Sequence, residues 1–130
     1  MPDDLSLELK QFVEHHIESV PQLEALLLLR KEPQREWEAA DISKALYIPD
    51  DVAGSLLIDF VRRGFAIMLP PEKAKFAYRA RDDASDRLIE ELQAAYFDRR
   101  VAIISLIYSK PLNKVQTFAD AFRFGKENPR

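Results

Sequence analysis

Six cationic side chains fall within one short span of the sequence: Lys44, Arg62, Arg63, Lys73, Lys75 and Arg79, with Arg81 close behind. Guanidinium and ammonium groups donate charge-assisted hydrogen bonds to anionic oxygens, phosphate above all. The rest of the chain sharpens the contrast. Residues 1–43 hold four basic and ten acidic groups, net −6; residues 44–81 hold seven and four, net +3; residues 82–130 hold eight of each, net zero. The middle of the chain is therefore the part that would attract a polyanion. Its excess is modest, and a scattered set of Lys and Arg is also what an ordinary solvated surface carries.

Other chemistries lack their residues. The two histidines are adjacent, His15-His16. Neighbours on a helix point about 100° apart, whereas a helical metal pair needs spacing of four, as in His-x3-His. There is no cysteine, which removes thiolate catalysis, disulfides and cysteine zinc sites. No serine sits in a G-x-S-x-G elbow. With only Gly54, Gly64 and Gly125, no glycine-rich phosphate loop can form. Paired carboxylates such as Glu90-Glu91 are most simply a solvated helix face. A binding protein without catalytic residues, metal or cofactor is expected.

The elements that must position the cations follow from apolar spacing. Leu9, Phe12, Val13, His16 and Ile17 form one helical stripe, with His16 as a partly buried structural histidine. Ser19 followed by Gln22 has the spacing of a capping box. It opens a second helix over about Val20 to Lys31, whose Leu23, Leu26, Leu27, Leu28 and Leu29 leave little polar face. Trp37 lies in a short extended stretch. Ala39 to Leu46 is a short helix, Tyr47 to Asp50 a turn, and about Asp51 to Arg63 a further helix stopped by Gly64. Phe65 to Leu69 and Lys75 to Arg79 read as two strands joined by the turn Pro70-Pro-Glu-Lys73. From Ala84 to Ser109 the pattern is helical, as one long helix or as two broken near Asp98-Arg-Arg100. Pro111 ends it, and Leu112 to Phe124 supplies a last helix.

The fold class expected is mainly α with a small β hairpin: a winged helix-turn-helix core with flanking N- and C-terminal helices. Ile42-x3-Leu46-x-Ile48 packs the first helix of the pair and its turn. Ala53-x3-Leu57-x2-Phe60-x3-Gly64-Phe65 packs the second and enters the wing. Over about residues 21–81 this resembles the winged helix-turn-helix domains of bacterial MarR-like and PadR-like transcription regulators. The resemblance implies that the second helix lies in the major groove and the wing on the backbone. Asp50, Asp51, Gly54, Ser55, Ile58 and Arg62 would then point outward, with Val52 and Leu56 at least half exposed. Lys44, Ser55, Arg62, Arg63, Lys73, Lys75 and Arg79 would be the DNA-binding set.

The two aspartates depart from that pattern. They suit the N-terminal end of a helix dipole, but they repel phosphate. Two functions stay open: a dimeric regulator that binds double-stranded DNA, or a winged-helix module that docks a protein partner and no DNA.

The chain of 130 residues is expected to form a single domain, 1–130. Its region 84–124 is the expected association surface of a homodimer, through Tyr96, Ile103, Ile107, Phe118 and Phe122; packing back on the N-terminal helix to complete a monomer core is the alternative. The longest apolar run, Ala25 to Leu29, is far short of the roughly 20 residues of a membrane span, and the start Met1-Pro-Asp-Asp has no signal-peptide character. No membrane contact and a cytoplasmic location are expected.

Overall fold

The computed structural model describes residues 5–70 and 75–109. Helices α1 (Leu7–His16), α2 (Val20–Lys31), α3 (Ala39–Leu46) and α4 (Asp50–Arg63) precede strands β1 (Ala66–Leu69) and β2 (Lys75–Tyr78). Helices α5 (Asp83–Asp98) and α6 (Arg100–Tyr108) follow. The mainly helical class and the winged-helix order are those expected from the apolar spacing. The break near Asp98-Arg-Arg100 is present: Arg99, at φ −134° and ψ 52°, separates α5 from α6. The last expected helix, 112–124, and Lys73 lie outside the described residues.

Helix α2 is the central element, touching α3, α4, α5 and β2, while α1 packs on α5 and α6. Leu23, Leu26 and Leu29 of α2 are fully buried, as are Leu9 and Val13 of α1 and Ile89 and Leu92 of α5. The expected core of the helix pair is also buried: Ile42 on α3, and Ala53, Leu57 and Phe60 on α4.

The capping residues position the helices. Ser19 accepts from the Gln22 amide at 3.2 Å, as a cap should. The return half of a capping box does not form. The Gln22 side chain reaches instead past Ser19 to accept from the Glu18 amide, and donates to the His16 carbonyl at 2.9 Å and to Asp59 at 3.3 Å. Gln22 is buried, so each polar atom must find a partner, and the turn between α1 and α2 supplies them.

Gly64 ends α4 at φ +86°, the left-handed region that glycine enters without a Cβ penalty. The Phe65 amide reaches back to the Phe60 carbonyl at 2.8 Å, and the Phe65 side chain is buried against the core, which is the pattern of a Schellman ending. Space reinforces the choice, because a Cβ at Gly64 would lie 3.0 Å from Arg81 Cδ. The chain therefore enters and leaves the wing at one crowded crossing.

The strands pair antiparallel, Ala66 with Tyr78 through Leu69 with Lys75. The Arg79 amide donates to the Phe65 carbonyl at 2.9 Å, carrying the pairing one step further toward α4. On its other edge β2 pairs with Trp37, which exchanges both backbone hydrogen bonds with Phe76 at 2.7 and 2.8 Å. A single bridge at Trp37 thus ties the extended stretch before α3 to the edge of β2.

Candidate nucleic-acid interface

Helix α4 carries the candidate reading surface. Asp51, Ser55, Ile58 and Arg62 recur at intervals of four, three and four, so they share one face, and all are exposed. Asp50 is exposed beside them. The opposite stripe, Ala53, Leu57 and Phe60, is buried. Two residues expected on the open face are placed differently. Leu56 is partly buried against the core, and Gly54 faces α3, where an added Cβ would meet the Ala39 Cβ at 3.8 Å. Val52 is 41% exposed, short of the half expected.

Helices α3 and α4 pack on each other through a turn held by Ser43, whose hydroxyl donates to the Ile48 carbonyl at 2.6 Å. At this turn stands Tyr47, left-handed at φ 59° and 94% exposed. A non-glycine residue there costs about 1–2 kcal/mol, and the exposed ring repays none of it by burial. From the sequence, Tyr47 is expected only as part of a turn. The available signal was a bulky aromatic where glycine or asparagine usually ends a helix.

The cations divide into two groups. Lys44 on α3, Lys75 on β2 and Arg79 after β2 are exposed and hold no ion pair among the described residues. Arg62 has its side chain 71% exposed and a loose contact to Asp59 at 3.2 Å. Arg63 is turned the other way, with its side chain 20% exposed. It donates to Asp59 at 2.6 Å, to the His15 carbonyl at 3.2 Å and to Glu18 at 3.4 Å, and lies 3.3 Å from His16 Nδ1. Consecutive helical residues diverge by about 100°, so when Arg62 faces solvent Arg63 faces the corner between α1 and α2. Arg63 thus fastens α4 to that corner and is placed apart from the other described cations of the expected DNA-binding set.

Two substitutions separate these roles. Arg63→Ala should cost about 1–3 kcal/mol of stability by leaving half-buried Asp59 and the His15 carbonyl short of a donor. Arg62→Ala should leave chemical denaturation within about 0.5 kcal/mol.

A second polar cluster ties the wing to the helices. Asp86 on α5 accepts from Tyr78 of β2 at 2.5 Å and from Arg30 of α2 at 3.2 and 3.3 Å. These donors hold the Asp86 carboxyl below the usual carboxylate range, the Tyr78 hydroxyl first. Burial, then the Asp86 hydrogen bond, pushes the Tyr78 phenol up.

His16 sits with its ring centroid 5.0 Å from Phe12 and 5.2 Å from Phe65. Burial lowers its pKa, followed by the charges of Arg63, Arg81 and His15; Asp59 opposes them. Because the folded value lies below the ordinary 6.5, the unfolded chain binds more protons between the two values. Stability should therefore be fully present above pH 6.5 and decline as pH falls toward the folded value. His16→Gln should remove that part of the decline, as read from urea midpoints between pH 5 and 8.

Among the described residues no group of three His, Asp or Glu side chains is arranged to hold a metal ion. No helix among them is long and apolar enough to cross a membrane. An open cleft of about 270 Å³ lies between α1 and the start of α5, lined by Glu8, Gln11, Phe12, His15, His16 and Arg81 among others.

The residues expected to mediate association are placed differently from that expectation. Tyr96, Ile103 and Ile107 are turned into this chain's own core, with Tyr96 also donating to Glu24 at 2.8 Å. Their stripe completes the packing of α5 and α6 on α1 and α2. Phe97, Val101 and Tyr108 are the exposed apolar side chains on these helices. Phe118 and Phe122 lie outside the described residues.

No family model and no curated protein matches the chain. Solved structures do. Sco5413, a MarR family transcriptional regulator from Streptomyces coelicolor, superposes with a TM-score of 0.54 at 15% identity, covering 93% of this chain and 84% of that one. A variant of Staphylococcus aureus MepR bound to an oligodeoxyribonucleotide gives 0.53 at 14% identity, over 88% and 84%. The haem-free form of the haem sensor PefR from Streptococcus agalactiae gives 0.53 at 16%, over 93% and 88%. The chain has the winged-helix fold of these MarR-like proteins.

Proposed function

We propose that the chain is a transcription regulator that binds double-stranded DNA as a homodimer, a binding protein without catalytic activity that works in the cytoplasm. One observation carries this reading. Lys44 and the Lys75–Arg79 pair, cations that hold no ion pair among the described residues, stand on α3 and on the hairpin, and α3 and the hairpin's first strand both pack on α4. Cations in that position meet phosphates on the two rims of a groove that α4 would enter. A MepR variant of the same fold is bound to an oligodeoxyribonucleotide. The exposed Phe97, Val101 and Tyr108 of α5 and α6 support the second copy.

Titration of a labelled random duplex at several KCl concentrations tests the reading. Binding should appear at low salt, with log K falling by about 0.9 per phosphate contact per decade of salt. Absence of binding at 50 mM KCl would overturn it. The dimer predicts enriched sites with two half-sites about 10 base pairs apart, centre to centre.

A second reading has its own observation. Tyr47, Val52 and Ile58 expose apolar surface beside Asp50 and Asp51, which suits a protein partner carrying basic residues. It is favoured if DNA fails to bind while Val52→Asp abolishes capture of a specific protein without unfolding the domain.

A further inference from the structure

Resting on the DNA-binding reading above, we propose that α4 selects its operator through pyrimidines, a cytosine amino group at Asp51 and a thymine methyl group at Ile58.

Helices of this kind lie in the major groove, with their N-terminal residues against base edges. On the exposed face of α4 the order is Asp51, Ser55, Ile58 and then Arg62. No Arg, Lys, Asn or Gln stands among the first three, so the forked contacts that identify guanine and adenine have no donor there. What remains is specific in its own way. The Asp51 carboxylate can only accept, and among the described residues it holds no ion pair that would occupy it.

In the major groove guanine presents acceptors alone, at O6 and N7, and repels a carboxylate. Adenine sets the acceptor N7 beside its amino group, where the second carboxylate oxygen is repelled. Cytosine's own edge presents the N4 donor and no acceptor. The negative charge also disfavours the phosphate rails and leaves the groove floor as the place for this side chain.

Ile58 is 51% exposed and offers only hydrocarbon. The thymine C5-methyl is the apolar group that the major groove displays. Ser55, between them, donates or accepts and suits either base. Arg62, one turn later, leans back on Asp59 at 3.2 Å and falls near the C-terminal end of the helix.

The experiment is selection of bound duplexes by the full chain at low salt, repeated with Asp51→Asn and Ile58→Ala. Circular dichroism is used to confirm that both variants fold. The native chain should enrich a half-site with a C·G pair that D51N converts to A·T, because an amide side chain pairs bidentately with adenine. Replacing enriched thymines by deoxyuridine should weaken the native chain by about fourfold at one position and leave I58A indifferent there.

A half-site unchanged by D51N, or deoxyuridine tolerated equally by both proteins, overturns the inference while DNA binding stands. Binding without any enriched site does the same. Failure to bind any duplex at low salt overturns the DNA-binding reading, and the inference falls with it.

Discussion

Phe60→Ala is expected to lower the unfolding free energy by about 3–5 kcal/mol, the usual cost of removing a fully buried phenyl ring. Phe60 is completely buried on the inner face of α4, near its C-terminal end. Its carbonyl also receives the Phe65 amide that closes the helix into the wing. The cavity would therefore open beneath both halves of the candidate interface. Against a typical domain stability of about 5–15 kcal/mol, the loss is a large fraction of the whole.

The single tryptophan, Trp37, is buried and bonded to β2, so its fluorescence reports the packing of the wing directly. The urea midpoint should fall by roughly 2 M, from the cavity cost divided by a slope of about 2 kcal/mol per molar. Ile58→Ala, two residues away on the same helix but half exposed, should stay within about 0.5 kcal/mol of the native chain. Equal losses at the two positions would mean that α4 does not present these faces.

The second large effect is on binding. Replacing Lys44, Lys75 and Arg79 together by alanine removes three phosphate contacts per bound chain. Counterion release then predicts a slope of log K against log salt flatter by about 2.7 for each bound chain, hence about 5.4 for the proposed dimer, and an affinity lower by about 10²–10³-fold per chain at 0.1 M salt. Because these side chains are exposed and hold no ion pair among the described residues, the fold should tolerate the change. Neutralising Lys31 on α2 and Arg87 on α5, which are also exposed, should leave the slope as it was. A triple variant with native affinity would remove the electrostatic basis of the proposed interface.

The fold was legible because each element announced itself in a period. Leu9, Phe12, Val13 and Ile17 lie on one helical stripe and are all buried. The alternation at Lys75 to Tyr78, between two turn signals, is a strand with Phe76 inward. Gly64 marked the end of α4 for a reason that depends only on backbone geometry.

The site was less legible, because an apolar or cationic side chain does not state what it faces. Tyr96, Ile103 and Ile107 form a stripe that would serve an interface or a core equally well, and only the docking of α1 across it decides for the core. Arg62 and Arg63 are indistinguishable by type. The one hint was Asp59, four residues before Arg63 and three before Arg62, and both spacings permit an ion pair. What settles the pair is the α1–α2 corner, brought to Arg63 by a distant part of the chain. Gln22 shows the same limit. Its capping spacing was readable, but its bond to Asp59 spans 37 residues.

The most direct test of the account is a backbone amide NMR titration of the full chain with a selected duplex. The largest shifts should fall on Tyr47, Asp51, Ser55 and Ile58, and on Lys75 and Arg79 of the wing, while the buried α1–α2 corner at Gln22 stays still. Shifts concentrated on α5 and α6, with α4 and the wing unchanged, would contradict it.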